Sequence, residues 1–146
     1  MNKIFLFLLS MIFFNCRSFD SSTYFEKDFT VNQIKSCFMG SVIISVECGK
    51  RGDFSGEKVS GVREELIYNG IVNNTLNLIF REYFITEDRA LIRASFTFQL
   101  TYDLSISKVI IFRNTAIEIL IANSQGISFV VKRFNKNTCF DGKGIL

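Results

Sequence analysis

From Val42 onward, apolar and polar residues alternate with a period of two, and this repeat limits the fold more than any other feature of the chain. The cleanest run is Ile92 to Tyr102. Ile92, Ala94, Phe96, Phe98, Leu100 and Tyr102 fall on one parity, and Arg93, Ser95, Thr97, Gln99 and Thr101 on the other. Successive side chains of an extended backbone point to opposite faces, so this pattern predicts a strand with one dry and one wet face, as in antiparallel sheets. Leu76 to Ile85 alternates less regularly and is joined to that run by the polar turn Thr86-Glu87-Asp88-Arg89. Ser105 to Phe112, the tight turn Arg113-Asn114, Ala116 to Ala122, the turn Asn123-Ser124-Gln125-Gly126 and Ile127 to Phe134 continue the series. Residues 42–47 and Leu66 to Val72 read as further strands, although Arg63-Glu64-Glu65 also suits the start of a helical turn.

Residues 30–40 carry a different period. Thr30 suits a helix cap, Val31, Ile34 and Phe38 fall at i, i+3 and i+7, and Gly40 suits the left-handed residue after the end. The expected fold is therefore mainly β: an up-and-down antiparallel meander of six or seven strands, as a small barrel or curved sheet, with one short N-terminal helix. The alternative is an α+β arrangement with that helix packed on an open sheet.

The chain has 146 residues, enough for one domain, and 48% of them are hydrophobic, enough for a real core. A net charge of +3 with mixed signs lacks the basic stripe of a nucleic-acid binder, so no nucleic-acid partner is expected. There is no histidine. Every Ser-His, Cys-His and His-metal mechanism is thereby excluded. A zinc site would need cysteines or carboxylates alone, and no C-x2-C spacing exists, so no metal or cofactor is expected. Among the carboxylates, Glu64 and Glu65 would point to opposite faces of a strand, and Glu87-Asp88 lies in a turn. Glu82 is the exception, because it shares a face with Leu78, Phe80 and Phe84 and either ends a buried stretch or marks a cavity. These groups read as solvated charges, and the chain is expected not to be an enzyme.

The N-terminus carries an address. Met1-Asn2-Lys3 is a short positive segment, and Ile4 to Phe14 is an apolar run of eleven broken only by Ser10. It is shorter than the ~20 residues that span a bilayer and matches the core of a signal peptide. Cys16 follows at once. The segment Phe13-Phe14-Asn15-Cys16 resembles a loose lipobox. Most bacterial lipoproteins have Leu three before the cysteine and Gly or Ala just before it, where this chain has Phe13 and Asn15. Spirochaete lipoproteins are similar in tolerating such departures. The resemblance covers residues 1–20 and implies cleavage before Cys16 and a lipid on its thiol. The competing reading is ordinary secretion, with Cys16 and Ser18 as the small residues of a cut after Ser18. Arg17 after the cysteine, where an enterobacterial inner-membrane protein would have Asp, implies delivery to the outer membrane. The expected organisation is a signal peptide over 1–15, a lipidated tether over 16–29 reaching ~40 Å at most, and one β-rich domain over 30–146, held at the cell envelope.

With Cys16 lipidated, Cys37, Cys48 and Cys139 remain. Cys37 and Cys48 flank one strand, farther apart than the ~7 Å limit between Cα atoms for a bridge. Cys139 therefore pairs with one of the other two, and Cys48, sharing a face with Val42, Ile44 and Val46, is preferred; three reduced thiols are the alternative. Arg51-Gly52-Asp53, just after a strand and near Gly49 and Gly56, reads as an exposed loop. It either presents a guanidinium and a carboxylate to a host integrin or is an ordinary turn, since the tripeptide arises by chance in a few per cent of such chains. Phe80, Phe84, Phe96, Phe98 and Phe112 either line a lipid cavity in a curved sheet, much as in a lipocalin-like barrel, or form an ordinary aromatic core. The early and late positions of Cys48 and Cys139 are also similar to the bridge of small periplasmic lysozyme-inhibitor lipoproteins, although the inhibitory loop of that family is not recognisable here. The sequence thus points to a membrane-anchored envelope lipoprotein acting as a binding module for host or envelope proteins. A carrier of lipid or another small hydrophobic ligand and a periplasmic inhibitor are the alternatives.

Overall fold

The computed structural model describes residues 22–52, 55–87, 89–113 and 115–136. They form ten strands: β1 Ser22–Lys27, β2 Ile34–Phe38, β3 Val42–Arg51, β4 Lys58–Val72, β5 Thr75–Thr86, β6 Arg89–Ile92, β7 Phe98–Asp103, β8 Val109–Phe112, β9 Thr115–Ala122 and β10 Gly126–Arg133. One sheet runs β1-β3-β4-β5, with β6 and β7 both along the far edge of β5; the other runs β2-β10-β9-β8. Every pairing is antiparallel, and neither sheet closes into a barrel. The two share one core. Ile43, Ile44, Leu66, Tyr68, Leu76, Leu78 and Phe80 from the first sheet meet Ile110, Ile117, Ile119, Ile127, Phe129 and Val131 from the second. Both sheets thus bury one face in the same apolar layer.

The mainly β, antiparallel expectation holds; in place of one meander of six or seven strands there are ten strands in two sheets, with β1 beside β3 and β2 beside β10, and three local expectations are corrected. Residues 34–38 are not helical. They form β2, which pairs with β10 from Ile34–Val130 to Phe38–Gly126. Ile34 is 65% and Phe38 78% exposed, so the apolar spacing that imitated a helix face lies on the open side of an edge strand, while Lys35 and Cys37 turn inward. Gly40 does adopt positive φ (83°), but it closes the β2–β3 turn, in which Ser41 N–H donates to Phe38 O at 3.1 Å.

Second, residues 22–27 are not tether. They form β1 and pair with β3 along six positions, with Tyr24 buried and Phe25 half-buried against the first sheet. Third, Ile92 to Tyr102 is not one strand. β6 and β7 are separated by a 3-10 turn at Ala94–Phe96. β5 advances three residues from Phe80 to Tyr83 while its partner advances six from Ile92 to Phe98. The three extra residues invert the parity, so Ile92 and Phe98 lie on opposite faces of the sheet although the sequence pattern puts them on one.

Candidate functional site

Two clusters of charge are built into the first sheet, one on each face. Cross-strand partners share a face, so Glu26, Glu47, Arg63 and Tyr83 form one row on the outer side. The adjacent outer row is Tyr24, Gly49 and Gly61. A Cβ on Gly61 would come within 2.5 Å of the Tyr24 hydroxyl, so the missing side chain is what lets the phenol lie there. Tyr24 Oη donates to Glu47 Oε1 at 2.9 Å, and Arg63 Nε donates to Glu47 Oε2 at 2.6 Å. Lys58 Nζ sits 2.7 Å from Glu47 Oε1 and 2.9 Å from Glu26 Oε2. Burial alone would raise the Glu47 pKa, but the hydrogen bonds from Lys58, Arg63 and Tyr24 outweigh it and hold the carboxyl below its ordinary range. Burial and the bond to Glu47 push the Tyr24 phenol well above its ordinary value.

On the inner side, Val46, Glu64 and Glu82 share a row. Two carboxylates directly opposite one another are unfavourable unless cations sit between them. Arg93, at the start of the 3-10 turn, bonds to Glu82 Oε1, and Arg113, in the β8–β9 turn, bonds to Glu64 Oε1 with Glu82 Oε2 at 3.9 Å. Arg113 holds φ at 50°, a conformation unusual for a side chain of its size, and its guanidinium lies over the rings of Phe80 and Phe112. Burial raises the Glu64 pKa, Arg113 opposes the rise, and the Glu82 charge adds to it. The cluster ties β4, β5, the break between β6 and β7, and the β8–β9 turn to one point. A cavity of about 20 Å³ beside it, lined in part by Glu64, Phe80, Phe112 and Arg113, is the size of one water.

The residues singled out from sequence fall as follows. Cys16, Asp53 and Cys139 lie outside the described residues. Cys48, on the inner face of β3, is disulfide-bonded, and Cys37 is a free thiol. Arg51 ends β3 with its guanidinium turned back to Glu26 at 2.6 Å and stacked over Tyr24, while Gly52 is buried. Of the five phenylalanines, Phe80 is fully buried against Phe98 and Phe112, whereas Phe84, Phe96 and Phe98 are open to solvent, so together they enclose no compartment. Among the described residues, no group of three or more side chains is assembled to hold a metal ion, and no helix is long and apolar enough to cross a membrane. Glu82 is buried, as its place among Leu78, Phe80 and Phe84 suggested; Glu64 and Glu47 are buried or half-buried and paired rather than solvated. Sequence reading passed over Glu47 altogether. The one available signal was the glycine pair 49 and 61, which leaves space above the sheet for Tyr24. No protein-family model, no curated protein and no solved structure matches this chain.

Proposed function

We propose that the chain is a lipid-anchored cell-envelope protein, carried at the outer membrane through Cys16, whose β domain binds other proteins with its surface. The observation that supports surface binding is the distribution of apolar side chains. The core is filled around a space of about 20 Å³, against the ~300 Å³ or more of a small-molecule pocket, while large apolar residues such as Phe38, Ile121 and Ile111 stand open on the second sheet. No catalytic role is proposed. The guanidinium of Arg51 is engaged by Glu26, so the Arg-Gly-Asp tripeptide is not part of the reading. We also assign Cys139 as the partner of Cys48, since Cys37 is free and Cys16 carries the lipid in this reading.

Two measurements test the proposal. Intact mass of the native protein should show cleavage before Cys16 plus acyl chains, and Cys16→Ser should release the protein from the membrane fraction; unchanged retention sinks the anchor. Gentle extraction followed by lipid mass spectrometry should find no stoichiometric bound lipid beyond the covalent acyl groups. One lipid per chain would turn the reading toward a carrier.

A further inference from the structure

We infer that the end of the first sheet where β1 begins rests on the lipid surface, with the side chains of Val59, Leu91 and Ile92 in the headgroup layer. The inference rests on the lipid anchor at Cys16. Because β1 starts at Ser22, only six peptide steps separate the anchor from folded structure. Fully extended, they span ~20 Å. The first sheet is longer than that: the twelve residues of β5 measure ~40 Å. The short leash therefore keeps one particular end of the domain at the bilayer.

Register identifies what that end carries. Ser22 pairs with Arg51, Arg51 with Lys58, and Thr86 with Arg89, so the start of β1, the end of β3, the start of β4 and the β5–β6 turn stand together. Val59 (50% exposed) and Leu91 (54%) are open towards that end, with half-open Phe84 beside Leu91, and Ile92 (59%), on the opposite face from Leu91 and level with Tyr83, lies one residue further from the β5–β6 turn. Exposed Lys50 and Arg89 are balanced by exposed Glu57 and Glu87. A nearly neutral rim around apolar side chains suits zwitterionic headgroups and insertion driven by apolar area rather than by charge. Tethering supplies the high local concentration that so small a patch requires. The most exposed apolar residues, Ile106 (83%) and Phe38, lie at the opposite end, near Thr75 and Tyr68. They serve as internal controls.

The test uses the mature lipidated protein in vesicles of phosphatidylcholine with a minor fraction of phosphatidylglycerol, doped with a phospholipid carrying a diazirine high on one acyl chain. After illumination, adducts are mapped by mass spectrometry. Adducts on residues 58–60 and 89–92 should exceed those on 36–40 and 104–108 by about tenfold, and Val59→Glu with Leu91→Glu should remove most of them. An even or reversed distribution, or none in acylated protein, overturns the inference. Intact mass of the same sample separates the two failures: absence of acyl groups on Cys16 defeats the anchor, whereas an acylated protein with misplaced adducts defeats only the orientation.

Discussion

Glu47 and Glu64 are both withdrawn from water, yet they respond to pH in opposite senses. Glu47 receives Tyr24, Lys58 and Arg63, so its folded-state pKa lies below the unfolded one. Its contribution to stability is complete above the unfolded carboxylate value and is lost as pH falls through the depressed folded value. Glu64 has a raised folded pKa because its burial outweighs Arg113. The folded chain takes up that proton more readily than the unfolded chain, so this residue adds stability as pH falls. Glu64→Gln removes that compensation. Urea unfolding measured from about pH 7 to pH 4 should show the variant losing stability more steeply on acidification than the parent; a parallel pair of curves contradicts the assignment. Glu47→Ala should behave differently. It leaves the Tyr24 phenol and the Arg63 guanidinium without the carboxylate they donate to, while Lys58 keeps Glu26, and should lower stability at neutral pH by about 3 kcal/mol. A loss below about 1 kcal/mol would mean that the three donors are satisfied by water instead.

At the scale of elements, two glycines separate steric from conformational demand. A Cβ on Gly49 would fall 2.0 Å from the backbone oxygen of Ser60, on the paired strand β4. No rotamer change relieves a backbone clash, so Gly49→Ala should force β3 and β4 apart and cost ~3 kcal/mol in chemical unfolding. A Cβ on Gly40 meets nothing within 4 Å, but φ there is 83°. Gly40→Ala should cost only the left-handed strain, ~1 kcal/mol. Equal losses in the two variants would refute the distinction. The same contrast explains what the sequence disclosed. The β8–β9 and β9–β10 hairpins were legible because Arg113-Asn114 and Asn123 to Gly126 are turn chemistry between apolar runs, and Glu82 was legible as a charge on an apolar face. β2 was not, because an edge strand has no obligation to bury one face, and Ile34 and Phe38 imitated a helix. Nor was the break at Ala94–Phe96, since a three-residue insertion leaves the alternation of letters intact while inverting the faces. The two charge clusters depend on pairing across β1, β3, β4 and β5 and on turns distant in the chain, which alternation within one strand does not encode.

For the whole molecule, the order of strands sets where the fold is closed. The first strand lies in one sheet and the second in the other, and β2 pairs with β10, so residue 34 meets residue 130. Such a contact joins residues far apart in the chain and carries a loop-closure entropy that local hairpins avoid. After β10, Phe134 packs on Phe25 and Phe29, and Lys136 lies over Phe25, the register partner of Cys48. The chain thus returns to the first sheet beside the cysteine that is bridged. A link from Cys48 to Cys139 would fasten the chain beyond β10 to β3 and close a loop of most of the domain. In the chain-entropy account such a loop contributes ~4 kcal/mol. Reductant should therefore lower the unfolding free energy of the parent by roughly that amount, Cys139→Ser should reproduce the loss and be indifferent to reductant, and Cys37→Ser should keep the full response. If Cys37→Ser instead abolished the response, Cys37 would be one end of the bridge, and β2 rather than β3 would be the strand it holds.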